Sequence, residues 1–147
     1  MNAEAIHFTT ARHPLLLFYD GECSFCARWV ERVVKADPTR RMRYGQQQGH
    51  TFSRFLQVHT ELSHVESVVV LKRRPDGGED VYVRSRAIRE SIDGLPKLRV
   101  YQFILKIVPE PIADVGYNFF AKYRGTLVSA WHSLRPPIEQ DKELYVE

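Results

Sequence analysis

Leu15-Leu16-Leu17-Phe18-Tyr19 sets five apolar side chains in a row, closed by the turn pair Asp20-Gly21. A strand with one face in water alternates apolar and polar residues. A run with no polar position reads as a short strand buried on both faces. Strands of that kind belong to sheets covered by helices on both sides. With 147 residues the chain has room for one such domain and is short for two.

The segments that follow supply the cover. Cys26, Trp29, Val30, Val33 and Val34 recur at helical spacing, so a helix is expected from about Cys23 to Ala36, stopped by Asp37-Pro38. Met42 and Tyr44 alternate with arginines in a second strand, around 41–44. A short helix is expected over 51–59, with Phe52, Phe55 and Leu56 on one side. Ser67 to Leu71 and Val81 to Val83, separated by Pro75-Asp76-Gly77-Gly78, read as a hairpin. Ser85 looks like the cap of a helix through Ile88 and Ile92 to Gly94. Two further helices carry Leu98, Tyr101, Leu105 and Val108, then Ile112, Val115, Phe119, Phe120 and Tyr123 as far as Gly125. Their aromatic residues, including Phe103 and Tyr117, are expected mainly in packing, with a partner-binding face as the alternative. Two strands joined through a helix favour parallel pairing, and the hairpin adds an antiparallel pair. The expected fold is a mixed α/β sheet with flanking helices and a helical C-terminal extension. The expected core spans about 15–124, between an N-terminal tail over 1–13 and a C-terminal tail over 135–147.

Composition narrows the function classes. Aromatic residues at 12% argue against disorder, and two cysteines are too few for a disulfide-stapled mini-protein. No run of apolar residues is long enough to span a membrane, and 1–13 has no signal-peptide core, so the expected compartment is cytoplasmic. The formal net charge is +3, with −3 over 137–147 and +6 over the rest. Arg40, Arg41 and Arg43, then Lys72, Arg73 and Arg74, are the densest basic clusters. Runs like these are mostly solvated faces and turn tips, so nucleic acid is a minor alternative.

The chemistry sits in Cys23-Ser24-Phe25-Cys26, directly after the buried strand and at the opening of a helix. Thiol exchange proceeds through a thiolate. A helix N-terminus favours one, because its first N–H groups have no intrahelical acceptor and carry partial positive charge. Cys23 is therefore expected to be the exposed nucleophile, and Cys26, one turn further in, the more buried resolving thiol. Spacing of i to i+3 brings the sulfurs within bridging range. Two alternatives compete: a pair of neighbouring core cysteines, and a zinc site. One CxxC supplies two of four zinc ligands, and the six histidines show no close pair at ligand spacing, so zinc would have to be shared across a dimer. Asp20 is either a proton acceptor for the buried thiol or a turn-former.

The stretch from Leu17 to Cys26, with Asp20, Gly21, Cys23 and Cys26 in the order Asp-Gly-x-Cys-x-x-Cys, resembles the DCC family of thiol–disulfide oxidoreductases. The resemblance runs on through Arg41-Met42-Arg43-Tyr44, Ser67-Val68-Val69-Val70, Tyr82-Val83-Arg84-Ser85 and Ile107-Val108-Pro109. It implies a thioredoxin-like fold and exchange through a mixed disulfide. It departs at two points. No proline precedes the strand at Glu66-Ser67-Val68, where thioredoxin-like folds usually carry one, and Trp131 to Pro136 holds no further cysteine. No cofactor is expected, since the chain has neither a dinucleotide fingerprint nor a phosphate loop. The expected partners are a disulfide- or dithiol-bearing protein or a small thiol. A metal-binding module and an interaction domain with a vestigial dithiol are the rival readings. Known dithiol potentials span about 150 mV, roughly 7 kcal/mol for two electrons, so sequence does not separate reductase from oxidase.

Overall fold

The structure is a computed structural model that describes residues 7–65, 67–128 and 144–147. The expectations for Glu66, Trp131 to Pro136 and the opening of the C-terminal tail fall outside these residues.

Strand β1 (Leu15–Tyr19) is buried at all five positions, as an uninterrupted apolar run requires. It pairs in parallel with β2 (Met42–Gln46) and antiparallel with β3 (Val69–Arg73). The β3 strand turns back into β4 (Glu79–Val83), where Gly77 takes a φ of 88° in the turn, a conformation that favours glycine. The sheet order is β4-β3-β1-β2-β5, with β5 formed by Tyr145–Val146 alongside β2.

β1 divides the core. Leu15, Leu17 and Tyr19 face helices α1 (Ser24–Ala36) and α3 (Arg84–Ile92), together with Val30, Val33, Met42, Tyr44 and Ile92. Leu16 and Phe18 face α2 (His50–Val58), where they pack with Phe52, Phe55, Val69 and Leu71. The alternation of a strand places successive side chains on opposite faces, so one pentapeptide anchors both layers. Phe18 meets Phe52 edge-on at 5.0 Å and Phe55 at a tilt at 5.4 Å between ring centroids. Gly45 leaves room for that ring: a Cβ there would meet Phe18 ring carbons at 2.8 Å. This five-stranded mixed sheet with helical cover is a thioredoxin-like α/β fold.

Several local expectations change. Ser85 does not cap α3. Val83 holds the cap position, and the Ser85 hydroxyl instead donates to Asp114 Oδ1 at 2.5 Å. That bond ties α3 to α5 (Glu110–Val128). Gly125 does not end α5, which runs on to Val128. A glycine costs a helix about 1 kcal/mol but does not terminate it unless the backbone turns left-handed. The expected tail over 135–147 ends in β5, and Glu147 O accepts the Thr51 N–H at 2.7 Å. Toward the other end, Phe8 packs edge-on against Phe55, and its N–H donates to Glu79 at 2.9 Å.

Packing was the expected role of the aromatic residues in α4 (Arg99–Ile107) and α5. Phe103, Phe119, Tyr101 and Tyr123 are exposed instead. Each helix turns a narrow polar or mixed face to the domain: Gln102 donates to Ile92 O and Leu95 O, and Asp114 holds Ser85. Leu98 and Leu105 also face the core, whereas Val100, Phe103 and Ile107 on α4 and Ile112, Val115 and Phe119 on α5 point away from it. Among the described residues no helix is long and apolar enough to cross a membrane.

Candidate active site

The end of β1 turns through Asp20-Gly21-Glu22 into α1. Asp20 forms the turn. Its Oδ1 accepts the Glu22 N–H at 3.0 Å, and its carbonyl accepts the Cys23 N–H at 3.2 Å. Cys23 then takes an extended backbone, φ −90° and ψ 111°, and becomes the N-cap of α1. Its Sγ accepts the Cys26 N–H at 3.4 Å, in the place where a serine or aspartate oxygen ordinarily sits. Both cysteines are present as thiols and both belong to the core that includes Tyr19 and Val30.

The expected contrast in exposure is absent. Cys23 is 4% exposed and Cys26 7%. The cause is the cap: to reach the Cys26 N–H, the Cys23 sulfur turns in over the first turn of α1 instead of out to solvent. The helix-terminus environment expected from sequence is present, and the open access to it is not.

Sequence reasoning missed the glutamines after β2. Gln48 accepts the Gly21 N–H at 3.0 Å and donates to Asp20 Oδ1 at 2.8 Å. Gln47 donates from its side chain to Ser67 O at 2.7 Å, and its N–H donates to Tyr19 O at 2.8 Å. The dithiol turn, the end of β2 and the approach to β3 are thereby tied together. The signal was available: loops that follow two adjacent parallel strands share one end of the sheet, where α/β proteins place their sites. Gln47-Gln48 follows the second strand as Asp20 to Cys23 follows the first.

Tyr19 lies beneath the dithiol. Burial pushes its phenol above the ordinary value of 10.0, a Gln46 hydrogen bond opposes that, and negative charge at Cys26 adds to the rise. An unfolded chain therefore ionises this tyrosine first as the pH climbs. The stability it contributes is fully present below pH 10.0 and is lost as the pH rises toward the folded value. Urea unfolding of Tyr19→Phe is expected to show a shallower loss of stability between about pH 10 and 11 than the parent. Equal slopes would remove Tyr19 from the alkaline transition.

A cleft of about 320 Å³ opens beside Cys26. Trp29 of α1, Val68, Ile88 of α3, Tyr101, Ile104 and Leu105 of α4, and Tyr117 of α5 complete its almost wholly apolar lining. Trp29 packs against the core and at the same time walls the cleft, where it meets Tyr101 edge-on at 5.9 Å between ring centroids. The Tyr117 hydroxyl accepts the Val68 N–H at 3.0 Å, at the backbone just before β3. Among the described residues no group of three or more His, Cys, Asp and Glu side chains is placed to hold a metal ion.

A match to the DCC1-like thiol-disulfide oxidoreductase family covers residues 17–130, which includes the end of β1, the dithiol turn, the hairpin and both terminal helices. The chain belongs to the DCC1-like thiol-disulfide oxidoreductase family. Membership carries a general thiol–disulfide redox function, and the adjacent Cys23 and Cys26 agree with it. No curated protein and no solved structure matches the chain.

Proposed function

We propose that the protein exchanges a dithiol for a disulfide with a protein or small-thiol partner, with Cys23 as nucleophile and Cys26 as resolving thiol. The observation that carries this reading is the Cys23 sulfur at the N-cap of α1, accepting the Cys26 N–H at 3.4 Å. A hydrogen bond to the charged form and the positive end of the helix both favour thiolate over thiol. The Cys23 thiolate attacks one sulfur of the substrate disulfide. The other sulfur leaves as a thiolate and takes a proton. Cys26 then gives up its proton and attacks the Cys23 sulfur, which releases the second substrate thiol and leaves a Cys23–Cys26 disulfide. Two electrons pass from the dithiol to the substrate, and the reverse sequence oxidises a substrate dithiol.

Equilibration of the protein against a graded series of reduced and oxidised glutathione, followed by thiol trapping and mass measurement, tests the proposal. One two-electron transition is expected, with the loss of two hydrogens on oxidation. Thiols that stay reduced across the series, or stoichiometric zinc in the purified protein, would favour the interaction-domain and metal-module readings respectively. One observation favours the opposite order of attack: Cys26 lines the cleft. Under that order the roles of the two cysteines in trapping are exchanged.

The proposal assigns Asp20 to the turn that presents Cys23, on the strength of its bonds to Glu22 and Gln48. An asparagine Oδ1 accepts the same two donors. Asp20→Asn is then expected to leave both thiol steps within about twofold and stability within ~0.5 kcal/mol. If the carboxylate takes the Cys26 proton, stopped-flow kinetics from pH 6 to 9 would instead show resolution slowed by about 10²-fold or more.

A further inference from the structure

Val100, Phe103 and Ile107 on α4, and Ile112, Val115 and Phe119 on α5, are each between 62% and 70% exposed. Each set repeats at i, i+3 and i+7, so each forms one stripe along its helix. An exposed apolar area of this kind marks an interaction surface. Its border is cationic. Arg99 and Lys106 lie four residues before and three after Phe103, on the edge of the α4 stripe, and Lys122 lies beside Tyr123 at 5.7 Å from the ring centroid. Of the two acids on these helices, Asp114 is held by Ser85, and Glu110 is exposed at the opening of α5.

We propose that the α4–α5 face docks on an anionic lipid surface. Apolar side chains would enter the acyl boundary, while Arg99, Lys106 and Lys122 stay at the headgroups. A second copy of the chain is a poorer occupant, because a two-fold interface buries one patch against the same patch and brings no acidic border to meet these cations. The helices would lie on the membrane and not cross it: the nine residues of α4 reach only about 13 Å, under half of a ~30 Å hydrocarbon core, and the 19 residues of α5 are not apolar enough to span it. Ile104 belongs to α4 and also lines the cleft at Cys26, so docking would bring that cleft to the lipid boundary. The proposal stands on the helix faces and is independent of the order of attack at the dithiol.

Flotation of the full chain with phosphatidylcholine vesicles, with and without about one-third phosphatidylglycerol, tests it. Binding is expected on the anionic vesicles, weakened at high salt. The double variant Phe103→Ser/Ile107→Ser is expected to lower partitioning roughly tenfold or more. Lys106→Gln is expected to lower it about fivefold. Both variants replace exposed side chains, and unchanged thermal unfolding verifies their fold. Absence of flotation on either vesicle, or equal flotation on both, overturns the proposal. So does a dimer that forms without vesicles and is lost in the double variant, which would assign the face to a second copy.

Discussion

Replacing Cys23 with serine is expected to abolish disulfide exchange, with a loss on the order of 10³-fold or more, the scale on which removal of a nucleophile acts. A serine hydroxyl still accepts the Cys26 N–H and is the better N-cap, so α1 keeps its start and the fold keeps its stability. The loss is therefore one of chemistry. Cys26→Ser has a different signature. The first attack survives, the resolving step does not, and a mixed disulfide accumulates on Cys23. Non-reducing mass spectrometry of both variants after exposure to a model disulfide checks the pair. Accumulation on Cys26 in the Cys23→Ser protein, with none on Cys23 in its counterpart, would reverse the order of attack and make the cleft-lining thiol the nucleophile. Equal accumulation in both variants would point to two thiols acting independently.

Phe18→Ala is expected to lower stability by about 3–5 kcal/mol, the usual cost of emptying a buried aromatic site. At about 2–4 °C per kcal/mol for a chain of this size, the melting temperature should fall on the order of 10 °C. The expectation is specific to place. Phe18 is fully buried between Phe52 and Phe55 and joins β1 to the α2 layer, while Phe103 is 66% exposed. The same change at Phe103 should stay within about 0.5 kcal/mol, as for ordinary surface positions. Urea unfolding of both variants checks the contrast. A loss under about 1 kcal/mol at Phe18 would mean that α2 and β1 are not packed as described.

What was legible in the sequence was local. The run Leu15 to Tyr19 has only one environment that suits it, and β1 has the bounds read from it. Met42 and Tyr44 alternate with polar neighbours, and both are buried on the α1 side of the sheet. The Pro75 to Gly78 turn between two β-rich stretches forecast the hairpin. What was not legible depends on distant partners. Tyr145–Val146 is too short and too closely flanked by acids to announce a strand, and it exists because β2 offers an unpaired edge. Helical periodicity around α4 identified Leu98, Tyr101 and Leu105, the side that does meet the domain, and passed over the second apolar stripe, Val100, Phe103 and Ile107, that stays exposed. In α5 it identified Ile112, Val115 and Phe119 but not that the domain would leave them uncovered. The bond that Gln102 donates to Ile92 O and the one that Asp114 accepts from Ser85 fix the sides turned inward. At the site, the residue types were readable from Cys23 and Cys26, whereas the inward turn of the Cys23 sulfur and the Gln47 and Gln48 ties arise from the assembled sheet end.

The buried cap has a kinetic corollary. With 4% of Cys23 in contact with solvent, a bulky alkylating reagent cannot line up on its sulfur while that sulfur caps α1. The modification rate then reports how often the segment from Asp20 to Cys23 swings open, much as amide exchange reports local opening. A small oxidant such as hydrogen peroxide needs far less room. The ratio of the two rates becomes a ruler for the motion of this turn. A protein disulfide, bulkier still, would meet the opened turn first and the reactive sulfur second.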